Sequence, residues 1–351
     1  MIPRTRCLLV AALLSVGFRA SQGLAQSTAP SNSPENLEFL YGVSVAPSEA
    51  SFIAESAVKT RLGLISAIRS EIRLSQSHRG PAGVNAWFGG NVIALSMDNY
   101  PGFPNDPDIA ITGTAGVDYT VAPGLIAGFA LSRGSLDSSF GKYGSFNADD
   151  TSGSLYAAVQ RGSLWANAIG TYGRLGFDMN RIVPIGATLH SNTSSSGGDN
   201  WSAALQGGYV FSSGAITHGP VLGLVYQNVS LDGFKETGDY TSLEFGSQMR
   251  ESSVSQLGYL AIYDLGKYQP YVEALWNHEL ANTSRDVSAQ LVSQAALSMP
   301  AVLLGKDWGE AKAGVKIDVG KNLKLVLEGS ADFGQTSTTL YGGQIGFNVA
   351  F

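Results

Sequence analysis

The chain has 351 residues, of which 14% are charged and 44% hydrophobic, with 43 glycines and a single cysteine. Soluble domains carry about 25% charged residues, so a secreted soluble β-sandwich or β-helix is the weaker of two readings. The formal charge of −6 argues against nucleic acid as a partner, because affinity for phosphate backbones comes from Lys and Arg. Beyond the leader no apolar run is long enough for a transmembrane helix, which leaves strands as the way across a bilayer.

Residues 1–25 read as a secretory signal. Arg4 and Arg6 open it, Cys7 to Val16 is its apolar stretch, and Gly23-Leu24-Ala25 is a small-x-small cleavage site. Cleavage removes Arg4, Arg6 and Arg19, taking the formal charge from −6 to about −9. It also removes Cys7, so no disulfide framework or thiolate metal site is expected. Residues 26–47 are polar and turn-rich at their start (Ser27 to Pro34) and are expected to be disordered.

Residues 48–82 comprise a helix over 48–73 and a linker containing Gly80-Pro81. Ser48-Glu49 offers a cap and an acidic first turn. Val58, Leu62, Ile65 and Ile72 recur at helical spacing, while Glu55, Lys59, Arg61, Arg69 and Arg73 fall within one arc of roughly 160°. Glu55 to Arg73 would span about 28 Å, close to the thickness of a bilayer's hydrocarbon. Carrying so many charges, it cannot face lipid. It fits the lumen of a barrel, and equally a periplasmic amphipathic helix or one packed on a soluble sheet.

Residues 83–351 repeat a strand of ten to fourteen residues and a connection. Twelve strands are predicted: 83–97, 108–121, 125–134, 149–160, 164–177, 200–211, 217–230, 249–264, 268–280, 307–319, 323–333 and 339–351. Short turns such as Ala122-Pro123-Gly124 and Leu265-Gly266-Lys267 alternate with longer loops at 98–107, 135–148, 178–199, 231–248 and 281–306; the last outer connection, 334–338, is short. The fold class is therefore all-β: a 12-stranded antiparallel transmembrane β-barrel with one N-terminal α-helix, placed in the outer membrane of a Gram-negative bacterium after export, with both termini periplasmic.

Within the strands, polar and apolar residues alternate. Glu310, Lys312, Lys316 and Asp318 oppose Ala311, Ala313, Val315 and Ile317. Lys324, Glu328 and Asp332 oppose Leu323, Leu325, Leu327 and Phe333, and Glu273 opposes Val272 and Ala274. These charges must face a lumen, where they are available to pair with Lys59, Arg61, Arg69 and Arg73, or with each other. In a wet lumen each pair would contribute on the order of 1 kcal/mol or less. Tyr119, Tyr209, Phe211, Tyr263 and Tyr268 lie near short turns and are candidates for an aromatic girdle. Strand 164–177 has aromatics on both parities (Trp165, Tyr172) and cannot be assigned faces. The last strand places Tyr341, Ile345, Phe347, Val349 and Phe351 on one apolar face, as a closing strand with no exposed edge would.

No pattern calls for a catalytic site, a cofactor or a metal. The histidines are His78, His190, His218 and His278. His278, with Glu279, Asp286 and nearby serines, is the one candidate for a hydrolase at the barrel rim, and a hydrogen-bonded interface histidine explains it as well. Pro104-Asn105-Asp106-Pro107-Asp108 suits a turn better than a Ca²⁺ loop.

Several stretches resemble the translocator domain of classical autotransporters (type V secretion), most closely those whose passenger is a GDSL-type esterase. They are Gly116-Val117-Asp118-Tyr119 with Ala122-Pro123-Gly124-Leu125, Gly219 to Tyr226, Val229 to Phe234, Ser255 to Tyr259, Trp276-Asn277-His278-Glu279, Asp307-Trp308-Gly309 and the terminal aromatic. The resemblance implies a helix threading the lumen just ahead of the first strand. It also implies assembly by the barrel-assembly machinery with periplasmic chaperones, outer-membrane lipid as the surroundings, and a monomer. The sequence departs from it in carrying about 22 residues, without a Gly-Asp-Ser-Leu block, where a passenger of hundreds is usual, so the esterase activity does not carry over. The expected function is a translocator barrel passing or anchoring an N-terminal segment at the cell surface. The alternatives are a porin-like channel, or a surface enzyme or adhesin built on the outer loops.

Overall fold

Alternation of apolar and small or polar residues, with β-branched and aromatic side chains on one parity, makes each strand two-faced. A sheet of such strands, closed on itself, leaves no edge. The computed structural model describes residues 34–76, 83–97, 103–104, 107–291 and 296–351. The expected leader at 1–25, His78 and Asn105-Asp106 lie outside the described residues.

Among the described residues one helix, α1 (Pro34–Gln76), precedes the strands. The first six are β1 (Val84–Met97), β2 (Asp108–Ala122), β3 (Leu125–Ser139), β4 (Gly144–Arg161), β5 (Leu164–Ile185) and β6 (Thr188–Tyr209). Then come β7 (Phe211–Ser213), β8 (Ile216–Leu231), β9 (Phe234–Lys235), β10 (Leu243–Phe245), β11 (Gln248–Tyr263) and β12 (Tyr268–Glu279). The last are β13 (Asp286–Leu291), β14 (Ala296–Pro300), β15 (Asp307–Asp318), β16 (Leu323–Phe333) and β17 (Thr338–Ala350). Twelve of them form the wall, each antiparallel to its neighbours, and β7 continues β6 along β8 past Val210.

Closure is made by the two ends of the barrel. β17 lies against β1 from Asn85↔Ala350 to Met97↔Thr338. Phe351 N–H donates to Val84 O at 2.8 Å, and the Phe88 and Phe347 rings stack at 4.8 Å. Tyr341, Ile345 and Phe351 are exposed on the outer face, with Phe347 and Val349 half-buried beside them, while Asn348 points inward and is fully buried.

The outer face defines a lipid band. On β5 the outward residues run Leu164, Ala166, Ala168, Gly170 and Tyr172, then turn polar at Arg174 and Asp178; on β6 the apolar row ends at Trp201, beside Asp199. Tyr172 therefore faces lipid and Trp165 the lumen, which settles the strand whose sequence was ambiguous. Tyr119, Tyr209, Phe211, Tyr263 and Tyr268 are all exposed at the short-turn end.

At the other end the chain is more ordered than its composition suggests. The expected loop 178–199 is a β-ribbon: β5 and β6 stay paired to Ile185↔Thr188, so Gly173–Ile185 projects by roughly 40 Å of strand beyond the band. Loop 135–148 is largely strand as well, with a 3₁₀ turn at Gly141–Tyr143. The excursions at 231–248 and 281–306 pair into a second sheet in the order β14-β13-β10-β9.

The helix also begins earlier than expected, at Pro34 within the 26–47 segment read as disordered. The reason is a tertiary surface that local composition does not reveal. The inner row of the ribbon (Phe177, Met179, Val183) is buried, and α1 lies along it. Gly42 permits the approach, since a Cβ there would sit 2.6 Å from Val183 Cγ1. At the ribbon tip Gly186 N–H donates to Glu38 Oε2 at 2.6 Å.

Around Phe52 the helix enters an apolar collar. Its ring meets Phe103 at 4.9 Å and Phe146 at 6.2 Å. Phe234, Phe245, Val287 and Val302 from the second sheet and its flanks complete the same buried cluster. Replacing Asp178–Ser195 by an Asn-Gly turn would keep the Phe177↔Ser196 register. The barrel should still need heat to unfold in detergent gels, while protease should newly cut α1 within 34–47.

Candidate functional site

Inward positions of a closed barrel must be satisfied by one another or by whatever fills the lumen. Here α1 fills it, and its charged arc meets the wall level by level.

Nearest the collar, Glu55 accepts from Arg250 Nε at 2.8 Å and lies 3.3 Å from Arg285 Nη2. Arg250 also reaches Glu279 at 3.2 Å. Below, Lys59 Nζ donates to Gln335 Oε1 at 2.6 Å, sits 3.8 Å from Asp332 and lies 4.5 Å from the Trp308 ring centre. Arg61 Nη2 donates to Asp150 Oδ2 at 2.7 Å. Arg69 donates to Gln256 Oε1 at 2.9 Å. Arg73 lies 3.4 Å from Glu273 and 3.9 Å from Glu328, and Tyr271 OH donates to Glu328 at 2.6 Å.

At the short-turn end neutral donors take the place of cations around one carboxylate. Ser75, Asn85 and Tyr156 donate to Asp118 at 2.8, 2.7 and 3.1 Å. Trp87 Nε1 donates to Tyr156 OH at 2.7 Å.

Of the wall charges expected from alternation, Glu273, Glu328 and Asp332 lie against α1, and Lys312 donates to Ser66 Oγ at 2.9 Å. Glu310 pairs with Lys312 at 2.9 Å instead of with the helix. Lys316 is buried and lies 5.9 Å from the Tyr271 ring centre. Asp318 and Lys324 pair at 3.4 Å near the short-turn rim, with Asp318 exposed.

Glu279, on the inward parity of its strand with Glu273, also faces the interior; Asp150, Arg250, Gln256 and Arg285 were not expected in the site. Inward parity would have marked Arg250 and Gln256, had the serines of β11 not blurred its alternation. Asp149-Asp150 puts a carboxylate on both parities, and Arg285 lies outside the wall strands.

The lumen is not wet, contrary to the expectation from charge alone. The Arg61 side chain is 0% exposed, Lys59 4% and Glu273 1%. A gap of about 60 Å³ remains beside Lys59, Arg69 and Glu310, room for a few waters. Removing one partner of a dry pair leaves a buried charge unpaired, which costs about 3–5 kcal/mol, well above the value for a wet pair.

Two glycines make room for this packing. A Cβ on Gly173 would sit 2.5 Å from Arg61 Nη2, and one on Gly346 would sit 1.7 Å from Glu71 Oε1. Asp150→Ala and Gly173→Val should therefore each loosen α1 without opening the wall. The expected outcome is faster hydrogen exchange at 55–73 and higher steady conductance, with heat-resistant mobility retained.

Beyond the lipid band lies a second buried cluster. Arg181 donates to Glu236 through Nε (2.8 Å) and Nη2 (2.6 Å), and to Thr241 O at 2.7 Å. Glu49 of α1 is fully buried near them, with no hydrogen-bond partner for either carboxylate oxygen. Burial pushes its carboxyl up to about 8, with Arg181 pulling it down and Glu236 adding to the rise. The folded state thus keeps a proton that the unfolded chain releases near 4.5. Stability from this group is present below that pH and is lost as pH rises toward about 8. Glu49→Gln should flatten this dependence in melting of the collar measured from pH 5 to pH 9.

Among the described residues, His190, His218 and His278 each have partners other than a serine hydroxyl. His278 Nδ1 faces Asp307 at 2.8 Å, and Ser255 Oγ donates to the His278 carbonyl rather than to its ring. His218 Nδ1 meets Tyr259 OH at 2.6 Å, and His190 sits between Asp239 and Tyr240.

A family model described as an autotransporter beta-domain matches residues 109–330. The chain is 22% identical over 249 residues to Lipase 1 of Photorhabdus luminescens, covering 68% of this chain and 38% of that protein. It is 25% identical over 207 residues to an extracellular serine protease of Serratia marcescens, covering 58% and 19%. The chain thus spans less than two-fifths of the length of these relatives. Among solved structures, the translocator domain of the autotransporter NalP from Neisseria meningitidis superposes with a TM-score of 0.69 at 16% identity, covering 88% of this chain and 99% of that one. The β domain of the Bordetella autotransporter BrkA gives 0.55 at 15%, covering 77% and 100%.

Proposed function

Because this chain belongs to the autotransporter β-domain family, the integral barrels of the Gram-negative outer membrane, we propose that it delivers the segment ahead of α1 to the cell surface and keeps α1 as the plug of its own pore. The observation that carries this reading is the direction of the helix. Glu38 meets the ribbon tip at the long-loop end, and Ser75 meets Asp118 and Asn348 at the short-turn end, just ahead of β1. Family barrels turn their long loops outward, so whatever precedes Pro34 emerges outside.

In this reading residues 1–25 are a leader removed on export, 26–33 continue the exposed segment, and 83–351 form the barrel. Glu55, Lys59, Arg61, Arg69 and Arg73 centre the plug against Glu273, Glu328 and Asp332. Glu310, Lys312, Lys316, Asp318 and Lys324 balance charge along the wall. The outward row of β17, from Tyr341 through Ile345, Phe347 and Val349 to Phe351, is the strand an assembly machinery would take up. The barrel itself is non-catalytic. This chain spans less than two-fifths of the lipase and protease relatives, and the activities in their names are not carried over to it.

Single cysteines test the direction of α1. On intact cells an impermeant maleimide should label Glu38→Cys, and should label Lys321→Cys, in a short turn, only after the outer membrane is opened. Labelling of Lys321→Cys alone on intact cells would reverse the barrel and sink the proposal. The channel reading predicts a large steady current from the full-length protein in planar bilayers; the plugged reading predicts small, brief openings.

A further inference from the structure

We propose that the outer wall over β3–β6 holds a phosphorylated lipid of the outer leaflet, gripped by Arg133 and Arg174. The inference rests on the outer-membrane position of the barrel and not on transport.

The site follows from register. Arg133 pairs with Thr151, Thr151 with Arg174, and Arg174 with Asp199, so these four form one row across adjacent strands. All four are exposed on the outward face. One step toward the membrane the row is Leu131, Gly153, Tyr172 and Trp201, the upper limit of the lipid band. The two arginines therefore stand at the height of lipid headgroups. They are the only arginine or lysine residues at outward positions in the outer half of the described wall strands. Most of the other barrel cations point into the lumen or sit at the short turns.

Their surroundings favour an anion brought by lipid. Neither guanidinium has a hydrogen-bond or ion-pair partner among the described residues. Asp199, the acid in the row, accepts from Tyr172 OH at 2.5 Å, which fixes that ring. The arginine Cα atoms are two strand spacings apart, roughly 10 Å. Side chains of that length converge on one phosphate above the Thr151 hydroxyl, and the planar guanidinium suits bidentate contact with phosphate oxygens.

Below the row the wall is dented. Gly153 interrupts the bulky outward residues between Leu131 and Tyr172, and a Cβ there would have only Phe129 and Leu131 within 4 Å, the nearer at 3.8 Å. Gly170, the next glycine toward the membrane, has nothing within 4 Å of its Cβ position. An acyl chain lying in this dent, between Leu131 and Tyr172, has its phosphate end directly under the arginines. A free phosphate lacks that second contact.

The test is native mass spectrometry of the full-length protein in detergent, with diphosphorylated lipid A, dephosphorylated lipid A and inorganic phosphate as probes. One diphosphorylated lipid should be retained per barrel. Affinity should fall about tenfold or more in R133Q/R174Q, as loss of charge-assisted contacts implies, and severalfold in Gly153→Leu, which fills the dent and leaves both arginines. Dephosphorylated lipid should bind wild type no better than intact lipid binds the double variant. K142Q/K306Q, which removes outer cations away from the row, should change nothing. Heat-resistant mobility of each variant reports that the barrel is folded. Unchanged binding in either R133Q/R174Q or Gly153→Leu, or displacement of the lipid by excess inorganic phosphate, would overturn the proposal.

Discussion

The structure depends on one requirement: in hydrocarbon every backbone N–H and C=O must be bonded within the protein. The β1–β17 ladder meets it for the first and last strands together, from Asn85↔Ala350 to Met97↔Thr338. Closing the sheet gives it an inside, where polar parities have no access to bulk water. Gln256, Glu273, Glu328 and Asp332 are inward because Leu257, Val272, Leu327 and Phe333 must be outward. The helix is then the complement that makes this interior affordable, bringing Lys59, Arg69 and Arg73 to acids and amides already committed to facing it.

Two kinds of contact divide the length of α1. Around Phe52 the packing is aromatic and aliphatic, shared between wall strands and the small outer sheet. From Glu55 to Arg73 one face is ionic and hydrogen-bonded, while Leu64, Ile65, Ile68 and Ile72 on the other pack into a second buried apolar cluster with Trp87, Tyr156 and Trp308. The two respond differently to a mismatch. Apolar packing tolerates small shifts at modest cost, whereas a dry ion pair is strongly unfavourable when its partner is lost. The charged face therefore fixes rotation and depth, and the collar together with the apolar face at Leu64 to Ile72 supplies burial. Gly173 and Gly346 show how tight the fit is: the wall gives up side chains where Arg61 and Glu71 arrive.

Much of this was legible in the chain. Period-two alternation gave all twelve wall strands and their inward faces wherever charges marked the parity, as on β12, β15 and β16. The alternation of short and long connections gave the orientation. Legibility failed where chemistry did not mark a face. On β11 the adjacent charges Arg250-Glu251 and the serines Ser252, Ser253 and Ser255 blur the alternation that would have marked Arg250 and Gln256 as inward, and the Asp149-Asp150 doublet gave no parity. Ser, Asn, Gly and Asp over 188–199 read as loop because they are poor or indifferent strand formers; the ribbon forms because its inner row is covered by α1. The start of α1 was hidden for the reciprocal reason, since residues 34–47 are helical where the ribbon supports them.

That mutual support has a geometric consequence. A helix leaving a pore with nothing beside it would swing freely, and anything attached to it would sample the membrane surface. Here Gly42 lies on Val183 and Glu38 is tied to Gly186 at the ribbon tip. The exit is thereby given a fixed bearing and a stand-off of several nanometres from the headgroups. On the proposed reading the ribbon is a mast: it sets where a segment delivered ahead of α1 first leaves the support of the barrel.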